Sequence, residues 1–198
     1  MTRWYSEKKR EHYYKQAKKS GYRARSAYKL KQIQKKFHII KPNDAVVDLG
    51  AAPGGWSQVA KELVGDKGTV LGIDLLHIDS IEDVVFLKGD MTEDESIQEI
   101  KKHVSEVDVV LSDMSPNISG NYSVDQARSI FLCEQALKTA TTLLKKNGNF
   151  ICKVFEGEDL DDFVEVIKPL FNNIKKFHPD ASRKTSSEIY IVAKSFKR

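Results

Sequence analysis

The sequence lacks any apolar run close to the roughly 20 residues that span a bilayer. Its N-terminus begins with Trp4 and Tyr5 among charged residues and has no apolar core of the roughly 7–15 residues that a secretory signal needs. The first absence excludes a membrane-spanning protein. Both together predict a cytoplasmic one.

Cysteine is scarce and histidine is scattered. The two cysteines, Cys133 and Cys152, lie in apolar stretches of helical and strand character, which predicts buried free thiols and no disulfide. The five histidines show no spacing suited to a common ligand. We therefore expect no metal site.

Charge is distributed unevenly along the 198 residues, which the net charge of +4 conceals. Residues 1–41 hold 14 Lys and Arg against 2 Asp and Glu, whereas residues 42–198 hold 18 against 26. A basic segment joined to an acidic body indicates a polyanionic partner. Aromatic residues that could stack on bases are interleaved with the basic ones, which favours nucleic acid: Trp4, Tyr5, Tyr13, Tyr14, Tyr22 and Tyr28.

We divide the chain into a basic N-terminal segment, residues 1–41, and a body, residues 42–198. Apolar positions at helical spacing over residues 26–37 predict an amphipathic helix docked on the body. No apolar stripe is evident in residues 1–20, which we expect to be flexible until nucleic acid binds.

In the body, short β-branched runs alternate with helical patterns. The strand-like runs are 45–49, 69–74, 84–87, 107–112 and 149–154, and the helical patterns lie near 57–64, 93–104, 124–145 and 159–171. This order predicts a doubly wound α/β sheet with right-handed crossovers. Two last runs, Ile174–His178 and Glu188–Ala193, are separated only by a loop and predict an antiparallel hairpin that closes the sheet.

A small-residue loop, DLGAAPGGW at residues 48–56, follows the first predicted strand. Ligands of open α/β sheets bind beyond the carboxyl ends of the strands, where glycine permits close approach of the backbone. The loop lacks the G-x-G-x-x-G spacing of a dinucleotide site. It keeps Asp48, which suits a cofactor that carries amino and sulfonium charge in place of phosphate.

Carboxylates also follow the next two strands. Asp74 ends the second strand, where a carboxylate can accept hydrogen bonds from both hydroxyls of a ribose. Asp90 and Met91 follow the third, where they could accept from an adenine amino group and pack on its ring. Three acids after successive strands, behind a glycine-rich loop, indicate a nucleoside-containing cofactor.

Four charged residues at other strand ends and on the basic helix are candidates for catalysis. Asp113 comes directly after the fourth strand, and Lys153 lies between apolar residues of the fifth. A lysine in such a place is costly to desolvate and is unusual without a partner. Glu188 opens the last strand, and Lys29 lies on the basic helix.

With these residues, the sequence resembles the FtsJ/RrmJ family of ribosomal RNA large-subunit 2′-O-ribose methyltransferases, whose catalytic signature is Lys-Asp-Lys-Glu in chain order. The resemblance covers essentially the whole chain. Its most specific pieces are DLGAAPGGWSQ at 48–58, SDMSPN at 112–117 and CKVFEG at 152–157. It implies a catalytic tetrad of Lys29, Asp113, Lys153 and Glu188.

The resemblance also implies the class I fold of S-adenosylmethionine-dependent methyltransferases, a Rossmann-like, seven-stranded, mostly parallel sheet with an antiparallel C-terminal strand. The implied reaction transfers a methyl group to a ribose 2′-hydroxyl of RNA, most directly a uridine of large-subunit ribosomal RNA. Lys153 would accept the proton when neutral or orient the oxygen when charged, with Lys29 near the ribose or phosphate. The predicted cofactor contacts are Asp48, Gly50, Pro53, Gly54, Gly55, Trp56, Asp74, Leu75, Asp90, Met91 and Asp113.

Other readings remain open. Transfer RNA and messenger RNA caps are alternative substrates for the same chemistry. A nicotinamide-dependent oxidoreductase is disfavoured by the missing fingerprint, and a non-catalytic RNA-binding module by the intact tetrad. Methylation of a pyrimidine carbon needs a nucleophilic cysteine, and neither cysteine lies at a predicted strand end. We expect a monomer whose partner is RNA, free or within an assembled ribosomal subunit.

Overall fold

The computed structural model of the protein describes residues 12–182 and 186–198. Its strands are β1 Ala45–Leu49, β2 Thr69–Asp74, β3 Val84–Lys88, β4 Val107–Ser112, β5 Leu144–Phe155, β6 Phe171–Phe177 and β7 Glu188–Phe196. Its helices are α1 at 12–19, α2 Ala27–Phe37, α3 Gly55–Val64, α4 Asp94–His103, α5 Tyr122–Leu143 and α6 Leu160–Ile167.

All seven strands form one sheet in the order β3-β2-β1-β4-β5-β7-β6. The first five strands of the chain pair in parallel, and β7 is antiparallel to both of its neighbours. The strand order reverses between β1 and β4, where the ligand of a doubly wound sheet binds. The predicted fold is therefore confirmed, including the antiparallel C-terminal strand.

Helices cover both faces of the sheet because alternate strand residues point to opposite sides. On β1, Val47 and Leu49 pack into one core with residues of α5 and α6, whereas Val46 packs into the other with residues of α2 and α3. The basic helix α2 buries Leu30 and Ile33 in this second core, as its amphipathic pattern predicts.

Several boundaries differ from the prediction. Strand β5 begins at Leu144, within the residues assigned to a helix, because a register shift lets both Leu144 and Asn149 pair with β4. Such an irregularity breaks the alternation by which a strand is recognised. Helix α6 ends at Ile167, and β6 begins at Phe171 instead of Ile174. In the sheet, strand β7 lies between β5 and β6. The edge strand of the hairpin is therefore β6, and not the last strand of the chain.

The N-terminal segment is more ordered than expected. Residues 12–19 are helical, and Ala17 is buried. The Tyr13 ring lies 5.5 Å from the Tyr28 ring, and the Tyr13 hydroxyl accepts a hydrogen bond of 3.0 Å from Gln32. Ala17 and the ring of Tyr13 thus pack α1 against the rest of the protein, although α1 has no apolar stripe. The expectation of flexibility is wrong for residues 12–20, and residues 1–11 lie outside the described part.

Two of the aromatic residues assigned to base stacking are instead structural. Tyr22 and Tyr28 are buried with their rings edge to face at 5.7 Å, and the Tyr22 hydroxyl donates to Glu62 at 2.7 Å. The stacking prediction is therefore wrong for both. Tyr14 is exposed and remains available, whereas Trp4 and Tyr5 lie outside the described residues.

The expected buried free thiols are confirmed at Cys133 and Cys152. Burial, together with the neighbouring Cys133, raises the pKa of the Cys152 thiol well above its ordinary value, so it stays protonated. Among the residues that the structure describes, no helix combines the length and the apolar character needed to cross a membrane.

Candidate active site

The four candidate catalytic residues meet at one edge of the sheet. Asp113 follows β4 at the edge where the parallel strands end, and Lys153 lies near the same end of β5. Because β7 is antiparallel, its first residue, Glu188, starts at this edge and pairs with Phe155. Helix α2, which belongs to the N-terminal segment, places Lys29 next to Glu188 at this edge. The position of β7 inside the sheet is what makes this meeting possible.

Two ion pairs hold the cluster together. Lys153 Nζ lies 3.2 Å from Asp113 Oδ1 and donates to the main-chain oxygen of Asp113 at 2.6 Å. Lys29 Nζ contacts Glu188 Oε1, which also accepts from Ser182 Oγ at 2.7 Å. The lysine side chains are only 6% and 5% exposed. Buried ammonium groups require such partners.

Both carboxylates are held in the ionised form. Burial acts to raise the pKa of Asp113, but the charges of Lys153 and Lys29 outweigh it and leave that pKa below its ordinary value. Burial likewise opposes ionisation of Glu188, but the charge of Lys29 and the hydrogen bonds from Lys29 and Ser182 together lower the pKa of Glu188 below its ordinary value. At neutral pH the site therefore contains two fixed negative charges that orient the lysines.

Tyr190 joins the two ion pairs and was missed by the sequence analysis. Its hydroxyl donates to Asp113 Oδ1 at 2.6 Å, and its ring lies 5.6 Å from Lys29 Nζ. Burial, reinforced by the charges of Asp113 and Glu188, raises the pKa of Tyr190 well above its ordinary value, so it is a neutral donor. Tyr190 and Glu188 are two residues apart on one strand and share a face, which is the sequence signal that could have found it.

A cavity of about 350 Å³ adjoins the cluster at the point where the strand order reverses. Its lining includes six predicted cofactor contacts: Gly50, Asp74, Leu75, Asp90, Met91 and Asp113. It also includes residues that the sequence analysis did not single out: Ala52, Leu76, Gly89, Thr92, Met114, Ser115, Leu132 and Gln135. This volume is typical of small-molecule sites, which occupy roughly 300–1,000 Å³.

The acids in the cavity are fixed by hydrogen bonds that leave capacity for a ligand. The main-chain nitrogens of Ala52 and Leu76 donate to the two oxygens of Asp74, at 2.9 and 2.8 Å. Each oxygen keeps a second lone pair. Thr92 donates to Asp90 through its main-chain nitrogen and its hydroxyl, and both bonds go to Oδ1. Gly50 has a φ of 71°, and a Cβ there would lie 2.4 Å from a side-chain carbon of Met114.

Four further predicted contacts do not line the cavity: Pro53, Gly54, Gly55 and Trp56. The indole of Trp56 donates to the main-chain oxygen of Ser26 at 2.8 Å. Arg23 donates to the Pro53 carbonyl at 3.3 Å and lies against Gly54. These loop residues contact the N-terminal segment, and their assignment to the cofactor stays a prediction.

Asp48, the remaining predicted contact, is completely buried beneath the glycine loop. Its Oδ2 accepts from Ser57 Oγ at 2.7 Å, and its Oδ1 has no hydrogen-bond partner among the described residues. Burial is the largest cause that raises the pKa of Asp48 to about 7, and the charges of Asp113 and Asp74 add to it. The buried carboxyl group at the start of the glycine loop therefore titrates near neutrality.

Replacing Asp48 by asparagine should flatten the pH dependence of stability. The folded protein holds this proton more tightly than the unfolded chain, whose pKa is 3.8, so the unfolding free energy falls as pH rises to about 7. The fall amounts to about 4 kcal/mol at most. Urea unfolding between about pH 5 and pH 8 should show the difference, variant minus wild type, growing with pH. A difference that is constant with pH would contradict this assignment.

Comparisons with known proteins agree with this geometry. The model of the FtsJ-like methyltransferase family matches residues 22–196. The Ribosomal RNA large subunit methyltransferase E of Natronomonas pharaonis is 52% identical over 186 residues, covering 94% of this chain and 74% of the relative. Proteins of the same name from Methanocaldococcus jannaschii and Coxiella burnetii are 50% identical over 200 residues and are covered over 82% and 94% of their lengths.

Solved structures show the same fold. A ribosomal RNA methyltransferase from Plasmodium falciparum superimposes with a TM-score of 0.81 at 28% identity, covering 88% of this chain and 98% of that one. Fibrillarin from Aeropyrum pernix, with natively bound S-adenosylmethionine, has a TM-score of 0.60 at 17% identity, covering 85% of this chain and 76% of its own, and shares the fold alone. The chain belongs to the FtsJ-like methyltransferase family.

Proposed function

We propose that this protein transfers a methyl group from S-adenosylmethionine to a ribose 2′-hydroxyl of large-subunit ribosomal RNA. The observation that carries the proposal is the convergence of Lys29, Asp113, Lys153 and Glu188 beside a cavity of cofactor size. Three relatives at 50–52% identity that are named for methylation of large-subunit ribosomal RNA support the choice of substrate. Since one chain supplies all four side chains, we propose a monomer as the active form.

The cavity residues fit S-adenosylmethionine. Asp74 offers the free lone pairs that a ribose diol needs, and Asp90 offers an acceptor for an adenine amino group beside the buried side chain of Met91. Asp48 is completely buried outside the lining of the cavity, so its assignment to the positively charged part of the cofactor stays a prediction. When bound, S-adenosylmethionine supplies an electrophilic methyl group on a positively charged sulfur.

Lys153 is placed to act on the attacking hydroxyl. An ammonium group has three donors, and Asp113 takes two of the Lys153 positions through its carboxylate and main-chain oxygens. One position is left for the ribose oxygen, which a charged Lys153 orients and a neutral one deprotonates. Glu188 forms an ion pair with Lys29 in the same cluster. The positive charge of Lys29 can bind the ribose or a phosphate of the substrate.

The proposal is tested by offering labelled S-adenosylmethionine with large-subunit RNA, both free and as assembled subunits, from cells that lack the gene. A 2′-O-methyl group blocks attack of that oxygen on the neighbouring phosphate. The label should therefore remain in dinucleotides after alkaline hydrolysis. Label in single nucleotides would indicate base methylation, and label only in transfer RNA offered in parallel would support the alternative substrate.

RNA binding should depend steeply on salt because basic residues of α1 and α2 replace counterions. Lys18, Lys19 and Lys35 are exposed on these helices. Their simultaneous replacement by alanine should weaken RNA binding and reduce the slope of log affinity against log salt by about 2, as expected for three contacts to single-stranded RNA. Fluorescence anisotropy with labelled ribosomal RNA measures both quantities.

The matched control replaces three exposed lysines at or near the amino-terminal edge of the sheet, away from the catalytic cluster: Lys67, Lys101 and Lys146. This variant loses the same charge and should keep the wild-type slope within error. Equal slopes for the two triple variants, or a wild-type affinity that does not change with salt, would remove the proposed role of residues 1–41.

A further inference from the structure

Two apolar side chains are exposed on the loop that follows the catalytic Asp113. Ile118 is 66% exposed and Tyr122, the first residue of α5, is 59% exposed. We call this pair the platform. Neither side chain of the platform belongs to the two hydrophobic cores of the protein.

Hydrogen bonds hold the loop that carries the platform. The carboxylate of Asp125 is buried and accepts from the main-chain nitrogen and the hydroxyl of Ser119, both at 2.7 Å, and from Gly120 at 3.2 Å. Asn121 caps α5 by accepting from Val124 at 3.3 Å. A loop held by these hydrogen bonds presents its side chains at a lower ordering cost when a ligand binds.

A further hydrogen bond fixes the platform beside the catalytic cluster. The Tyr122 hydroxyl donates to the main-chain oxygen of Glu156, three residues after Lys153. The main-chain nitrogen of Glu156 donates in turn to Ser187 at 2.7 Å, next to Glu188. Since a strand rises about 3.3 Å per residue, Glu156 lies within about 10 Å of Lys153 along the chain. With its hydroxyl engaged, Tyr122 offers only its ring to solvent.

We propose that the platform stacks against an RNA base that flanks the target ribose, which rests on the proposed function. The Nζ of Lys153 is buried, and an unpaired nucleotide that is drawn out of a helix can bring its 2′-hydroxyl to such a group. Unstacked bases of single-stranded RNA are stabilised by aromatic and apolar side chains. The platform supplies such a surface, and the hydrogen bond from Tyr122 to Glu156 holds it near the end of β5 that carries Lys153.

The test compares Tyr122→Ala with two variants that keep an aromatic ring, Tyr122→Phe and Tyr122→Trp. Loss of one base–aromatic stack should raise the KM for ribosomal RNA roughly tenfold in Tyr122→Ala, with the kcat and the KM for S-adenosylmethionine within about twofold of wild type. Both ring-keeping variants lose the hydrogen bond to Glu156 but keep the stacking surface, so their KM for ribosomal RNA should stay well below that of Tyr122→Ala. Val166→Ala removes an apolar side chain that is 56% exposed on α6 and serves as the matched control.

The Tyr122→Trp variant also reports stacking directly. Its tryptophan emission should fall more on addition of ribosomal RNA than that of the wild type, which contains Trp4 and Trp56 only. Equal quenching, or an unchanged KM for RNA in Tyr122→Ala, overturns the platform. So does a defect seen with assembled subunits and absent with free RNA, because it assigns Tyr122 to a protein contact. If the wild type methylates no RNA at all, the proposed function fails instead.

Discussion

Replacing Lys153 by alanine is expected to lower kcat by roughly 100- to 10,000-fold, the usual contribution of a general acid or base. The KM for S-adenosylmethionine should stay near that of the wild type because Lys153 does not line the cavity. Its Nζ is instead held by the carboxylate and the main-chain oxygen of Asp113. Steady-state kinetics with ribosomal RNA in excess separates the two quantities.

Two controls make this result specific. Lys145 lies on the same strand, pairs with Asp108 at 2.9 Å and is remote from the catalytic cluster, so Lys145→Ala should turn over normally. Removing one partner of a buried pair also costs stability, on the order of 3–5 kcal/mol. Lys153→Met keeps the apolar part of the side chain, and urea unfolding shows whether each variant is folded under the assay conditions. Near-normal turnover of both Lys153 variants contradicts the assignment.

Replacing Asp74 by alanine should weaken cofactor binding by at least roughly 10- to 100-fold, because a hydrogen bond from a neutral hydroxyl to a carboxylate contributes about 1.5–3 kcal/mol and that factor corresponds to the loss of one such bond. The kcat at saturating cofactor and the KM for RNA should change little. Isothermal titration with S-adenosylmethionine measures the affinity. Asp79→Ala removes an exposed carboxylate from the same loop and should bind as the wild type does. Equal affinities for the two variants would place the ribose elsewhere.

The part of the fold made by local patterns could be predicted from the sequence. The β-branched runs of β1 to β4 and the acids that follow them are short-range features, so Asp74, Asp90 and Asp113 are found at the edge where parallel strands end. The hairpin of β6 and β7 was also foreseen. Its position was not, because alternation along a strand does not specify its neighbours, and only the insertion of β7 brings Glu188 to Lys29.

Side-chain direction in loops and in the basic segment was the harder part. Trp56 is predicted as a cofactor contact because it follows the glycine loop; its indole points toward Ser26, which the sequence does not indicate, and the cofactor assignment stays a prediction. Tyr22 and Tyr28 are predicted to stack on bases because basic residues surround them in the sequence. In the structure they are instead buried in the core that includes residues of α3. Each outcome depends on how the N-terminal segment packs on the body, which is a contact between distant parts of the chain.

The measurement that bears most directly on the central claim is a map of 2′-O-methyl groups in large-subunit RNA from cells that lack the gene. One ribose methyl group should be absent. Expression of the wild-type protein should restore it, and expression of the Lys153→Ala variant to the same level should not. Restoration by Lys153→Ala, or a map with every ribose methyl group in place, would contradict the account of a lysine-centred ribose methyltransferase.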